Sequence, residues 1–257
     1  MNKLKFSKEA NAKLVGIKEW SPVKNPKVYS ISLLSGFSCP GAKECQTYAI
    51  EDKVTGKRTI LDGKDQEFRC FSASQEAQYK PTYKQRKHNL DLVNKHRYDF
   101  VSLAMLIQNS LPKNPTYIRV HVGGDFVTES YMMAWYMVAK FNPQIKFYAY
   151  TKSIQFMINL SEYKPDNFSM NASEQGKEDY LIDEFNLKSV NVVKHPSETK
   201  REIDHNEFYA INDVISQSNP SGSFSLLLHG TQKAGSESSK AMSRMKKEGI
   251  KNGYSKN

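Results

Sequence analysis

The chain has 257 residues, 37 Lys+Arg against 27 Asp+Glu, and a formal net charge of +10. That length buries a full core and suits one α/β barrel. The positive balance permits a nucleic-acid or other polyanion partner, though the basic residues are spread along the chain apart from a cluster near 240–256. No apolar run approaches the ~18 residues of a membrane span, and the basic N-terminus lacks the apolar core of a secretion signal. These features predict a cytoplasmic protein with no membrane partner, in which three cysteines do not build a disulfide framework.

Residues 1–27, with Pro22 and Pro26, read as an irregular lead-in. "KVYSISLLS" (27–35) reads as a strand closed by Gly36, and the loop "GFSCPGAKEC" after it carries Cys39 and Cys45. "VTGKRTI" (54–60) predicts a small hairpin around Thr55-Gly56. Cys70 follows in "EFRCFSAS". Between Tyr83 and Leu111, the spacing of Leu90, Val93, Tyr98, Val101, Met105 and Leu106 predicts one or two helices before Pro112.

The most regular stretch is strand 116–122, Gly123-Gly124, a helix over 130–141 that stops before Pro143, and strand 146–151. Strand, helix, strand at this spacing is a βαβ unit with parallel strands. Further strands are expected at 167–173, 189–195 and 223–230, and a basic helix or tail over 235–257. An open doubly wound sheet and a TIM-like (β/α) barrel both fit this order. On "TYIRVHV", Ile118, Val120 and Val122 share one face and Tyr117, Arg119 and His121 the other; "NFSMNAS" alternates likewise. Open parallel sheets are covered on both faces and tend to be apolar throughout, so the alternation predicts a single-domain TIM-like barrel with a partly polar interior.

The cysteine loop follows a strand's carboxyl end, where α/β proteins place their ligands. The spacing C-x5-C, then 24 residues, then Cys70 lacks the paired C-x2-C knuckles of zinc ribbons. Three thiolates can hold three irons of a [4Fe–4S] cube and leave the fourth open. Zinc with an added histidine, and thiols packed as small apolar groups, are the other readings.

Polar strand ends add candidates. "RVHVGGDF" brings Arg119, His121 and Asp125; Tyr150 and Lys152 end the next strand; Asn171, Ser173 and Glu174 another; His229 with Lys233 the last. His195 before Pro196 is a weaker candidate. A histidine and an aspartate at a strand end suit proton transfer, whereas Asp125 could instead cap a helix and Arg119 pair with a carboxylate. No P-loop, dinucleotide fingerprint, H-E-x-x-H or G-x-S-x-G is present.

The set "FSCPGAKEC", "FRCFSASQEAQY", "RVHVGGDF" and "FYAYTKS" resembles the phage gene product eighty-eight family over residues 30–153. The resemblance implies a phage origin, the infected host cell as the site of action, and an iron–sulfur TIM-type barrel. A more distant similarity is to radical SAM barrels. The usual C-x3-C-x2-C string is absent, and "GGDF" stands where a G-G-E-P-like string would meet the methionyl amine, so SAM is only an alternative cofactor. Together these readings predict a [4Fe–4S] cluster on Cys39, Cys45 and Cys70, its fourth iron open or met by His229 or, second, His121. Arg119 would anchor an anionic substrate, while His121, Asp125, Tyr150 or Lys152 handle protons in hydrolysis or lyase chemistry on a small ester or carboxylate. The non-enzymatic alternative is an iron–sulfur sensor or DNA-binding protein.

Overall fold

A computed structural model describes residues 2–215 and 219–252. Its strands are β1 (Ser7–Lys8), β2 (Val28–Ile31), β3 (Thr47–Glu51), β4 (Arg58–Asp62), β5 (Tyr117–Val120), β6 (Lys146–Thr151), β7 (Phe168–Ser173), β8 (Ser189–Val193) and β9 (Phe224–Leu227). Its helices are α1 (Ala12–Trp20), α2 (Phe71–Gln78), α3 (Lys80–Lys95), α4 (Phe100–Gln108), α5 (Glu129–Phe141), α6 (Ile154–Asn159), α7 (Tyr180–Glu184), α8 (Phe208–Ile211) and α9 (Glu237–Lys247).

The expected βαβ unit is present as β5-α5-β6, with β5 and β6 parallel. The Thr128 hydroxyl caps α5 by accepting from the Tyr131 N–H, and Glu129 and Lys140 lie at the ends that suit their charges. The hairpin around Thr55-Gly56 is also present, on longer strands than expected, as β3 and β4. Part of the lead-in read as irregular is ordered: 12–20 form α1, capped by the Asn11 side chain.

The TIM-like barrel is not what forms. Seven strands make one sheet in the order β1-β2-β5-β6-β7-β8-β9, and among the described residues it does not close. β2 and β5 to β9 run parallel to one another and advance in one direction, so among the described residues there is no doubly wound reversal either. The short β1 runs antiparallel along the β2 edge. At the opposite edge, Glu202–Asp204 lie along β9: the Ser225 N–H donates to the Glu202 carbonyl and the Asp204 N–H to the Ser225 carbonyl.

The alternation that suggested a barrel interior has another cause. One sheet face carries Ile118, Val120, Phe147 and Phe168 onto α3, α4 and α5, with Trp135 and Tyr131 fully buried. The other face packs Val28, Tyr117, Tyr148 and Phe224 against Leu14 and Ile17 of α1 and Ala210 and Ile211 of α8. Two of its polar residues bond to that covering layer. Ser169 Oγ donates to the Ile211 carbonyl, and Asn171 Nδ2 to the carbonyls of Ala149 and Ala210. A polar strand face can thus be a buried layer boundary as well as a barrel lumen.

Candidate functional site

Parallel strands all present their carboxyl ends to one edge, so the loss of the barrel leaves the candidate site intact. The loops after β2, β5, β6, β7 and β9 meet there, joined by the segment entering α2. They surround a cavity of about 160 Å³, close to the size that admits a benzene-sized body. Cys39, Cys45, Cys70, Arg119, His121, Asp125, Tyr150, Lys152 and His229 all line it. The remaining strand-end candidates divide. Ser173 lines it too, whereas Asn171 holds α8. Glu174 binds Ser189 and Arg201, and His195 pairs with Glu248 at 2.6 Å, against α9.

Specific contacts set the thiol positions. Gly36 turns the chain after β2 at φ 75°, and the Cys39 N–H donates to its carbonyl. Gly41 passes so close to β6 that an added Cβ would stand 1.8 Å from the Lys152 carbonyl oxygen. Thr47 links the other two cysteines: its hydroxyl donates to the Cys45 carbonyl and accepts from the Cys70 N–H. Glu76 ties the loop to the Cys70 helix, accepting from Ser35 and pairing with Arg86 at 2.8 Å. The three cysteines form no disulfide and are half-buried residues. Burial pushes each of them up, Cys70 to about 11, and the nearby thiols add to this for Cys39 and Cys70. Lys152 opposes the rise at Cys45.

Asp125 is neither the helix cap nor a loosely held acid. Its Oδ1 accepts from Thr151 Oγ1 at 2.6 Å and the Phe126 N–H at 2.7 Å, and Oδ2 from the Lys152 N–H at 2.8 Å. The "GGDF" and "YTKS" segments are therefore one unit, clamped by a carboxylate. Burial pushes Asp125 up to about 6 against these donors. Lys152 Nζ donates to the Ser173 and Glu174 carbonyls, which holds its charge beside the cysteine loop.

Arg119 reaches a carboxylate that no local pattern announced. Its Nη1 donates to Glu207 Oε1 at 2.6 Å, its Nε to the His121 carbonyl, and its guanidinium lies 4.5 Å from the Tyr150 ring centre. The Tyr150 hydroxyl donates to Glu207 Oε2 at 2.5 Å, and Lys13 Nζ stands 3.8 Å from Oε1. Burial pushes the Glu207 carboxyl up, but Arg119, Lys13 and Tyr150 outweigh it and hold it below the usual range.

The two histidines differ. His121, at φ 69°, packs its ring against Phe126 and Tyr131, and burial drives it down to about 3. His229 stacks at 4.5 Å on Phe71, and its Nδ1–H donates to the Leu227 carbonyl at 3.0 Å. That bond places the ring's lone pair on Nε2. Burial lowers His229 to about 4, so it is neutral at pH 7.

Among the described residues, no three His, Cys, Asp or Glu side chains form a group able to hold a single metal ion. No helix there is long and apolar enough to cross a membrane. In α9, Lys240 pairs with Glu237 and Arg244 with Glu248, so part of the basic cluster is internally balanced; 253–257 of the expected basic tail lie outside the described residues.

Fold and site define an open, largely parallel α/β protein with a thiol-lined cavity at the carboxyl edge of its sheet. The chain belongs to the Gene product 88 family, whose model matches residues 3–247. It is similar to the Gene 88 protein of Mycobacterium phage L5, 34% identical over 58 residues that cover 23% of this chain and 24% of that relative. The match thus spans about a quarter of the relative's length. No solved structure matches.

Proposed function

We propose that this phage-family protein binds a [4Fe–4S] cluster through Cys39, Cys45 and Cys70 and is an enzyme acting on a small anionic ester or carboxylate. The observation that carries the reading is that three free cysteines, from separate segments, line one cavity with Lys152 beside them. The donor set fits. Three thiols brought to one cavity by separate segments match the ligands of a four-iron cube, which spreads its thiolates over different irons. Lys152 supplies a positive charge next to the anionic ligands.

When bound, such a cluster with three thiolates supplies one open iron as a Lewis acid. The chain supplies the rest. Arg119, fixed by Glu207 and the Tyr150 ring, presents a rigid cation to an anionic group. His229 is neutral, and its tautomer keeps the lone pair on Nε2 of a cavity-lining ring. Asp125 and Tyr150 are committed to their hydrogen bonds and position the wall. His121 is held among aromatic rings.

Anaerobically purified protein is expected to be brown, to contain about four irons per chain, and to give an EPR signal on reduction. Cys39→Ala, Cys45→Ala and Cys70→Ala should each lose the iron. Colourless protein, or full iron content in Cys70→Ala, overturns the assignment.

A further inference from the structure

We propose that the outer face of α4 and α5 joins two copies of this chain, turned end for end, as a two-fold symmetric dimer. The two helices lie side by side and run the same way. At their N-terminal ends Thr128 Oγ1 donates to the Arg97 carbonyl and Ser130 Oγ to the Tyr98 carbonyl. At their C-terminal ends Asn142 Nδ2 donates to Gln108 Oε1. Leu103, Ala104 and Ile107 of α4 and Tyr131, Trp135 and Val138 of α5 face the core. Helical spacing then sets Val101 and Met105 beside Met133, Met137 and Phe141 on the side turned away from it.

That side is apolar and open. Val101, Met105 and Phe141 are 50%, 59% and 74% exposed, Tyr98 at the N-terminal end is 76% exposed, and Met133 and Met137 are half-buried. Tyr98 and Phe141 alone offer roughly 200–400 Å², at 150–250 Å² for a whole aromatic side chain. Val101 and the methionines carry this towards the ~500 Å² of apolar surface on each side of a homodimer interface of standard size. Exposed methionine and aromatic groups with few charges are the composition of an interface core.

Charge selects the occupant. A quarter of the chain is charged, yet α4 carries no charged residue and α5 only Glu129 and Lys140, at its two ends. These two share a stripe with Met133 and Met137 and stand roughly 16 Å apart along the helix. A second copy turned end for end brings its Lys140 to Glu129 and its Phe141 to Tyr98, and symmetry repeats both contacts. The face reversed is therefore its own complement, whereas a strongly charged partner meets no counter-charge along its centre. Arg97, at the same end as Glu129, donates to the Val127 carbonyl and lies over the Tyr98 ring. Lys3 and Lys95 line the groove on the other flank of α4. General repulsion between two chains of net charge +10 is screened at physiological salt. None of the face residues lines the thiol cavity, so the dimer stands independently of the function proposed above.

The test is sedimentation equilibrium of the full-length protein at physiological salt, where a dimer with a Kd at or below ~10 μM is expected. Met105→Glu puts a charge at the centre of the contact in both copies and should weaken it at least ~tenfold. Glu129→Lys and Lys140→Glu should each weaken it about three- to thirtyfold, the worth of two exposed ion pairs. The double variant Glu129→Lys/Lys140→Glu should restore it. Both reversals oppose the α5 dipole, so a more stable helix cannot produce that rescue. The charge variants decide the matter if Met105→Glu does not fold. The proposal fails if the parent is monomeric at ~100 μM, if folded Met105→Glu dimerises like the parent, or if the double variant is as weak as the single ones. In the monomeric case, retention of the parent but not Met105→Glu on phosphatidylcholine–phosphatidylglycerol vesicles would assign the face to a lipid surface instead.

Discussion

Replacing Glu207 by Gln removes a carboxylate that contacts both Arg119 and Lys13. The side chain is fully buried, and its loss takes from Arg119 the carboxylate it binds at 2.6 Å. Breaking a buried ion pair on one side costs about 3–5 kcal/mol. At 2–4 °C per kcal/mol for a chain near this size, the melting temperature should fall by about 6–20 °C. Urea unfolding at pH 7 measures the same loss. The pH dependence supplies a second reading. Because the folded Glu207 pKa lies below its ordinary 4.5, its stabilisation is present above that value and lost as pH falls through the folded pKa. The gap between parent and variant should therefore narrow in acid. A variant within ~1 kcal/mol of the parent at pH 7, or a gap that widens in acid, would refute the account of the buried Arg119–Glu207 pair.

Asp125→Asn keeps one acceptor where three donors now converge, and should lower stability by about 2–3 kcal/mol in urea titrations; a neutral result would show that the clamp between the β5 and β6 ends is dispensable. Burial raises Asp125 to about 6 from 3.8, so its contribution falls as pH rises through that interval, a trend the Asn variant should lack. Gly41→Ala should displace the cysteine loop, because its Cβ meets the Lys152 carbonyl, and cost more than ~2 kcal/mol. Gly56→Ala, at φ 67° with open space around it, should cost only about 1 kcal/mol; equal losses in the two variants, read by thermal melts, would contradict the close-approach argument.

Much of the site was legible because its determinants are local. The βαβ stretch at 116–151 carries its own periodicity, its Thr128 cap and its Pro143 stop. Parallel strands then bring Arg119, Lys152 and His229 to one edge without further information. The sheet's closure was not legible, since it depends on what lies along β9, and Glu202–Asp204 carry no strand pattern. Helix α1 escaped notice for a related reason. "AKLVGIKEW" is short and contains Gly16, and its order comes from packing against the sheet and 206–208 rather than from propensity. Glu207 sits in "DHNEF" at φ 62°, a setting no local motif marks.

The contact between α1 and the segment around Glu207 also governs when the protein can finish folding. Trp20 Nε1 donates to the Asn206 carbonyl across 186 residues of chain, and Lys13 meets Glu207 across a similar span. Ribosomes add about 5–20 residues per second, so α1 waits many seconds for the segment that packs against it to emerge. Completion of this contact is thus a late, long-range event, and it ties the N-terminal helix to a segment near the other end of the chain.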